Sequence, residues 1–215
     1  DKNMKMVDEK PLQLNVDSKK RVYGGAYFVG DKIIHFIEER VRKEDKYYLY
    51  GTTTDLHLKA DPNVFVLDEA ADDALNFGAH RISPDSTKIL VYNETKGRRK
   101  DPSQLNFKVY STDLSKVLLN RSVTLPIKAS KFDREDISVD NLGNVYVLAK
   151  IYKEKEERAK DQSLYSYKIF AFSANDQKEF DFDYPDRDIE SIGIVPGENN
   201  TLVCTGFLKI LNKGF

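Results

Sequence analysis

Short apolar segments alternate with clusters of Asp, Asn, Gly and Pro along most of the chain. One combination recurs four times: an apolar segment, a tight turn, and a second apolar segment. The first copy is Ala26-Tyr27-Phe28-Val29, turn Gly30-Asp31, then Lys32-Ile33-Ile34-His35-Phe36-Ile37. The second is His80-Arg81-Ile82-Ser83, turn Pro84-Asp85-Ser86-Thr87, then Lys88-Ile89-Leu90-Val91-Tyr92. The third is Asp136-Ile137-Ser138-Val139, turn Asp140-Asn141-Leu142-Gly143, then Asn144-Val145-Tyr146-Val147-Leu148. The fourth is Ile192-Gly193-Ile194-Val195, turn Pro196-Gly197-Glu198-Asn199-Asn200, then Thr201-Leu202-Val203-Cys204. Short Val-, Ile- and Tyr-rich segments bounded by turn formers are the signal of strands joined in hairpins.

The first apolar residues after the turns are Ile33, Ile89, Val145 and Leu202, at spacings of 56, 56 and 57. Two more strand-like segments follow each of the first three hairpins. Tyr47–Thr54 leads to Asp55, Asn106–Thr112 to Asp113, and Tyr165–Ser173 to Asn175-Asp176. Shorter segments come next: Val64–Leu67, Val117–Leu119 and Glu179–Phe182. About four strands in each unit of some 56 residues predict an all-β fold, a β-propeller or an internal part of one. The repeat divides residues 1–215 into the end of one blade (1–21), three blades (22–75, 76–130 and 131–187) and the start of another (188–215). Leu12-Gln13-Leu14-Asn15-Val16 resembles Val123-Thr124-Leu125-Pro126-Ile127, so the chain is expected to be an internal piece of a longer propeller. The alternative is a small ring in which the N-terminal strand completes the last blade. The fragment reading is preferred, although an open ring would expose unpaired strand edges.

The link between the second and third strands is charged in each unit. It is Glu38–Lys46 in the first, Glu94–Ser103 in the second and Lys153–Gln162 in the third. By the repeat these links should emerge on one face. Their cations are the candidate partner-binding residues: Arg40, Arg42 and Lys43, then Arg98, Arg99 and Lys100, then Lys155 and Arg158. Acids close by make a solvated loop the plainer reading of each.

Two hairpins resemble known families. Ile82-Ser83-Pro84-Asp85-Ser86-Thr87-Lys88-Ile89 resembles the Ser-Pro-Asp-Gly hairpin of TolB-like and WD40-like (PD40-type) propeller repeats, with Ser86 where those repeats prefer Gly. Asp140-Asn141-Leu142-Gly143-Asn144-Val145-Tyr146-Val147 is similar to a hairpin of six-bladed propellers. The Lys-, Asp- and Tyr-rich style is similar to large extracytoplasmic propeller proteins of Bacteroidota-type bacteria. That resemblance implies a place outside the cytoplasm (periplasm, outer membrane or secreted) and a signal peptide ahead of the propeller in the relatives. Its motifs are structural and carry no chemistry.

Composition trims the list of functions. Lys and Arg number 34 against 35 Asp and Glu, a net charge of −1, which argues against clamping nucleic acid over the whole surface. Apolar runs such as Ile89-Leu90-Val91-Tyr92 are far too short to span a membrane. One cysteine, Cys204, excludes an internal disulfide framework, and in its apolar strand it reads as a small buried residue. Basic patches at Lys2-Lys5-Lys10, Lys19-Lys20-Arg21 and Arg98-Arg99-Lys100 are compatible with an anionic membrane surface or a membrane complex.

Four constellations bear on chemistry. Ser83 lacks the signature of a nucleophile, and Ser83-Pro84-Asp85 reads better as turn chemistry. Asp140-x-x-Gly143-Asn144 lacks the further carboxylates of a calcium loop. Asp181, Asp183, Asp186, Asp188 and Glu190 could bind calcium, the one cofactor left open, or form the polar face of a strand and loop. His35, His57 and His80 are scattered, and a three-His metal site is disfavoured. His80 and Arg81 are candidates to line a central channel. The aromatics, 12 Tyr and 12 Phe with no Trp, are expected to fill the space between sheets.

The sequence therefore favours a non-enzymatic scaffold that binds a protein or peptide through charged loops. A second hypothesis makes it the propeller of a larger, prolyl-oligopeptidase-like hydrolase with catalytic residues outside this chain. A third is a propeller enzyme with its own channel site.

Overall fold

A computed structural model describes residues 9, 11, 21–95, 97–98, 100–154, 163–182, 187–198 and 201–210. The described residues form β-strands joined by turns, with a 3-10 turn at Ala129–Lys131. It divides into two compact units, Asp1–Asp72 and Asp73–Phe215.

The first unit holds one four-stranded antiparallel meander, β1 (Arg21–Val29), β2 (Lys32–Val41), β3 (Lys46–Asp55) and β4 (Ala60–Ala71). Gly30, at φ 60, closes the first hairpin, because its missing Cβ permits a left-handed backbone. Ile33 to Ile37 are all buried, so β2 is covered on both faces. That is why its sequence runs apolar instead of alternating.

The second unit holds two more meanders and a hairpin. The first meander is β5 (Leu75–Ile82), β6 (Lys88–Thr95), β7 (Pro102–Ser111) and β8 (Val117–Lys128). The second is β9 (Phe132–Val139), β10 (Val145–Tyr152), β11 (Tyr165–Phe172) and β12 (Gln177–Phe182). The hairpin is β13 (Arg187–Pro196) with β14 (Leu202–Ile210). The two meanders pack face to face. Leu90, Phe107, Val109 and Leu125 meet Val145, Val147, Phe170 and Phe172, all at most 2% exposed. The Phe107 and Phe172 rings lie 5.2 Å apart. The opposite face of the second meander offers Leu148, Tyr167 and Ile169 to Ile189 and Ile194 of β13. Each such side chain contributes about 1.5–3 kcal/mol on burial.

The turns link neighbouring sheets of this unit. The Asp85 N–H donates to Asn141 Oδ1 at 3.1 Å, joining the β5–β6 turn to the β9–β10 turn. Arg121 of β8 donates to the carbonyls of Ser173 and Asp176 in the β11–β12 turn.

Strand lengths differ from expectation. β4 and β8 run for 12 residues each, not the short segments Val64–Leu67 and Val117–Leu119. In β8, Val123 and Leu125 continue the buried alternation, while Pro126 is exposed on an edge strand, where its missing N–H does no harm. The charged links are also shorter than expected. Glu38, Glu39 and Arg40 belong to β2, and Glu94 is a buried residue of β6. Cross-strand pairing extends the ladder that far, as in Arg40↔Tyr47 and Glu94↔Leu105.

Candidate functional site

The candidate cations fall into three groups. Arg40, on β2, is tied to the Asp72 carboxylate and lies over the Tyr47 ring at 5.6 Å. A cation already paired and stacked is less available to a partner. Arg42 and Lys43 sit exposed in the β2–β3 turn, and Arg98 and Lys100 sit exposed between β6 and β7. Arg99, Lys155 and Arg158 lie outside the described residues, as do the N-terminal lysines, Lys96 and the segment Leu12–Val16. The β10–β11 link is anchored at its start: Glu154 pairs with Lys128 at 2.7 Å and with Lys131 at 3.3 Å. Those two cations hold its carboxyl below the usual value.

His80 is half-buried on β5, and burial lowers its pKa. Its Nδ1 lies 2.8 Å from the Gly78 carbonyl, which can only accept, so Nδ1 carries the proton. Arg81 is exposed, donates to the His80 carbonyl and lies 6.0 Å from the Tyr92 ring centre. His35 is buried between Tyr23 Oη at 3.1 Å and Thr54 Oγ1 at 3.0 Å, and burial lowers its pKa too.

The two sequence-level turn motifs use their polar groups internally. Ser83 Oγ donates to Asp85 Oδ1 at 2.6 Å and accepts from the N–H groups of Thr87 and Lys88. Burial pushes the Asp85 carboxyl up, but hydrogen bonds from Ser83 and Thr87 outweigh it and hold it below its usual value. Asp140 is 2% exposed. Its Oδ1 accepts from the Leu142 and Asn144 N–H groups, and its Oδ2 accepts from Asn144 Nδ2 and Tyr146 Oη, all at 2.8–2.9 Å. Burial, and then Asp140, push the Tyr146 hydroxyl up to about 12. In the acidic run, Asp181 lies in β12 and pairs with Lys168, while Asp188 and Glu190 lie in β13. Asp183 and Asp186 lie outside the described residues. Among the described residues no group of three or more His, Cys, Asp or Glu could hold a metal ion.

One space in the second unit was missed from sequence. A cleft of about 490 Å³ opens in the second unit between the β10–β11–β12 face and β14. Tyr146, Ile169, Phe180 and Phe182 line it from the meander, and Leu202 and Cys204 from β14. Burial raises the pKa of the Cys204 thiol, which keeps it in its unreactive protonated form. Asp176 and Lys178 stand at the rim, 3.9 Å apart. Nearby, Lys150 Nζ lies 3.9 Å from the Tyr165 ring centre, with Tyr152 and Tyr167 within 6 Å. The period-two spacing of Tyr165, Tyr167 and Ile169, and of Phe180 and Phe182, carries the signal for this face. An apolar cleft with a few polar rim groups has the make-up of spaces that bind small ligands by shape and burial.

No family model matches the sequence, and no curated protein does. Among solved structures the chain is similar to the Pyrococcus horikoshii acylaminoacyl peptidase (orthorhombic crystal form). The TM-score is 0.39 at 13% identity, over 90% of this chain and 33% of that one. The chain thus spans about a third of that protein's length, and a likeness this slight carries neither fold nor activity across. No helix among the described residues is long and apolar enough to cross a membrane.

Proposed function

We propose that the chain forms blades of a TolB-like β-propeller outside the cytoplasm, a scaffold that binds a protein or peptide through its charged loops. The observation that carries this reading is the succession of three four-stranded antiparallel meanders. Face-to-face packing of two of them, with their turns joined through Asp85 and Asn141, supports it further. Stacked sheets of this kind leave loops as the variable, functional parts. The exposed cations Arg42, Lys43, Arg98 and Lys100 give those loops a charge that an acidic partner surface would match. The test is affinity capture from native extract with the wild type and with R42E/K43E/R98E/K100E. A partner that the wild type holds and the variant loses, the two having equal far-UV circular dichroism, is the expected result. An identical set of captured proteins would overturn the reading.

A further inference from the structure

In the second unit β9 lies against β5 and β6, and there the apolar packing between the two meanders gives way to charge. Tyr92 and Glu94 are two residues apart on β6, so their side chains share one face of the strand. Both residues are buried. Arg134 of β9 lies over them. Its guanidinium carbon is 4.9 Å from the Tyr92 ring centre, and its Nε is 3.9 Å from Glu94 Oε2. That distance is too long for a hydrogen bond, and the buried Nε has no other partner among the described residues. Arg81 of β5 comes to the same ring, with its guanidinium carbon 6.0 Å from the centre. Arg81 is exposed and donates to the His80 carbonyl. It makes no ion pair among the described residues.

Two cations beside one ring repel each other, and the Glu94 carboxylate balances only one of them. The other acids of this stretch of β9 turn away. Asp133 bonds to Tyr152, and Glu135 acts on Tyr165 and Tyr167, all on the opposite face of the meander. His80 adds no charge, since burial favours its neutral form. The place is therefore left with one net positive charge. It also keeps an orphaned buried donor, which is costly until an acceptor reaches it. Guanidinium forks match the two oxygens of a carboxylate. One carboxylate would restore neutrality, whereas a phosphate dianion would overshoot it.

We propose that Arg81 and Arg134 form a carboxylate-binding site where β5 meets β9 in the second unit, with Tyr92 between them as an apolar wall. Arg134 is the buried anchor, and Arg81 is the exposed arm that closes on the ligand. The ligand is a monocarboxylate. The site is separate from the exposed loop cations and does not depend on their binding a partner.

Nuclear magnetic resonance of the isotope-labelled chain reads arginine Nε–H groups directly. Arg134→Lys identifies the Arg134 signal by its loss. Sodium acetate, added at constant ionic strength, should shift that signal saturably with a half-point in the millimolar range. Arg81→Gln changes an exposed side chain, so the fold should survive it, and it should raise the half-point about tenfold. Lys116→Gln, in the exposed β7–β8 turn, should leave the half-point unchanged. The same titration with N-acetylglutamate amide distinguishes the source of the carboxylate. Tighter binding than acetate supports a carboxylate carried on a peptide, and weaker binding supports a small free acid. Absence of a saturable shift with either probe overturns the proposal. So does an unchanged half-point in R81Q, an equal rise in K116Q, or inorganic phosphate binding more tightly than acetate.

Discussion

Strands β6 and β14 begin from similar instructions and end in different surroundings. Each is the second arm of a hairpin, and a proline precedes each, Pro84 in the β5–β6 turn and Pro196 at the end of β13. Each is rich in Val, Leu and Ile. β6 lies between β5 and β7 and under the facing meander, and every residue from Ile89 to Glu94 is buried. Among the described residues β14 has β13 on one side only, and Val203 and Thr205 to Lys209 are exposed. Local sequence makes both of them strands. Burial is conferred by neighbours, so it belongs to the tertiary level. Stability should therefore be concentrated in the stacked meanders and thin out towards β14.

Truncating a ring in each place tests this difference most strongly. Phe107→Ala removes a ring packed on Phe172 and should destabilise the second unit by about 3–5 kcal/mol. Phe207→Ala, in dilute protein, should change stability by no more than about 0.5 kcal/mol. Urea unfolding followed by fluorescence measures both. Equal losses would mean that β14 is packed as tightly as β7, and the contrast would collapse.

The next effect concerns the turn that starts β10. Asp140→Ala leaves the Leu142 and Asn144 N–H groups and the half-buried Tyr146 hydroxyl without their acceptor. The expected loss is about 3 kcal/mol, with Asp140→Asn recovering part of it. The same urea titration reads it. A loss confined to a few tenths would show that water replaces the carboxylate easily.

His35 sharpens the comparison by adding the first unit. Its pKa is lowered by burial from an ordinary value of 6.5. Above 6.5 it is neutral both folded and unfolded, and it adds no pH dependence. Below 6.5 the unfolded chain takes up a proton that the folded chain resists. Stability of the first unit should therefore fall as pH drops from 6.5 towards the lower folded value. Beyond that value this contribution flattens. His35→Gln should remove that slope while keeping a polar group between Tyr23 and Thr54. An unchanged slope in the variant would assign the pH dependence to groups other than His35; Glu38, whose carboxyl burial pushes up, gives a slope of the opposite sign.

The parts of this fold that sequence revealed are those governed by local chemistry. Gly30-Asp31, Pro84–Thr87 and Asp140–Gly143 are turns because of the residues they contain, so the all-β class and the hairpins were legible. The full length of β8 was not, because only cross-strand pairing with β7 extends it past Leu119 to Lys128. Glu94 looked like the start of a charged loop; it is buried near Arg134, whose guanidinium nitrogen lies 3.9 Å away on β9. The cleft was hidden for the same reason. Phe180 and Phe182 on β12 reveal nothing of Leu202 and Cys204 until β14 is placed beside them.

The smallest effect returns to the two linked turns of the second unit. Ser86 has φ 58 and Gly143 has φ 88, so both turns need a left-handed residue, and only one of them has glycine. A side chain in that region costs about 1–2 kcal/mol, partly offset by the greater freedom that glycine loses on folding. Ser86→Gly should therefore stabilise the second unit by about 0.5–1 kcal/mol. The backbone bond from the Ser86 N–H to the Ser83 carbonyl, 2.8 Å, is kept in the variant, so the gain isolates conformational strain. A shift of the urea midpoint to higher denaturant at unchanged slope is the expected reading. A loss instead would mean that the Ser86 side chain holds the turn, and that the β5–β6 and β9–β10 corners are built on different principles despite their shared backbone.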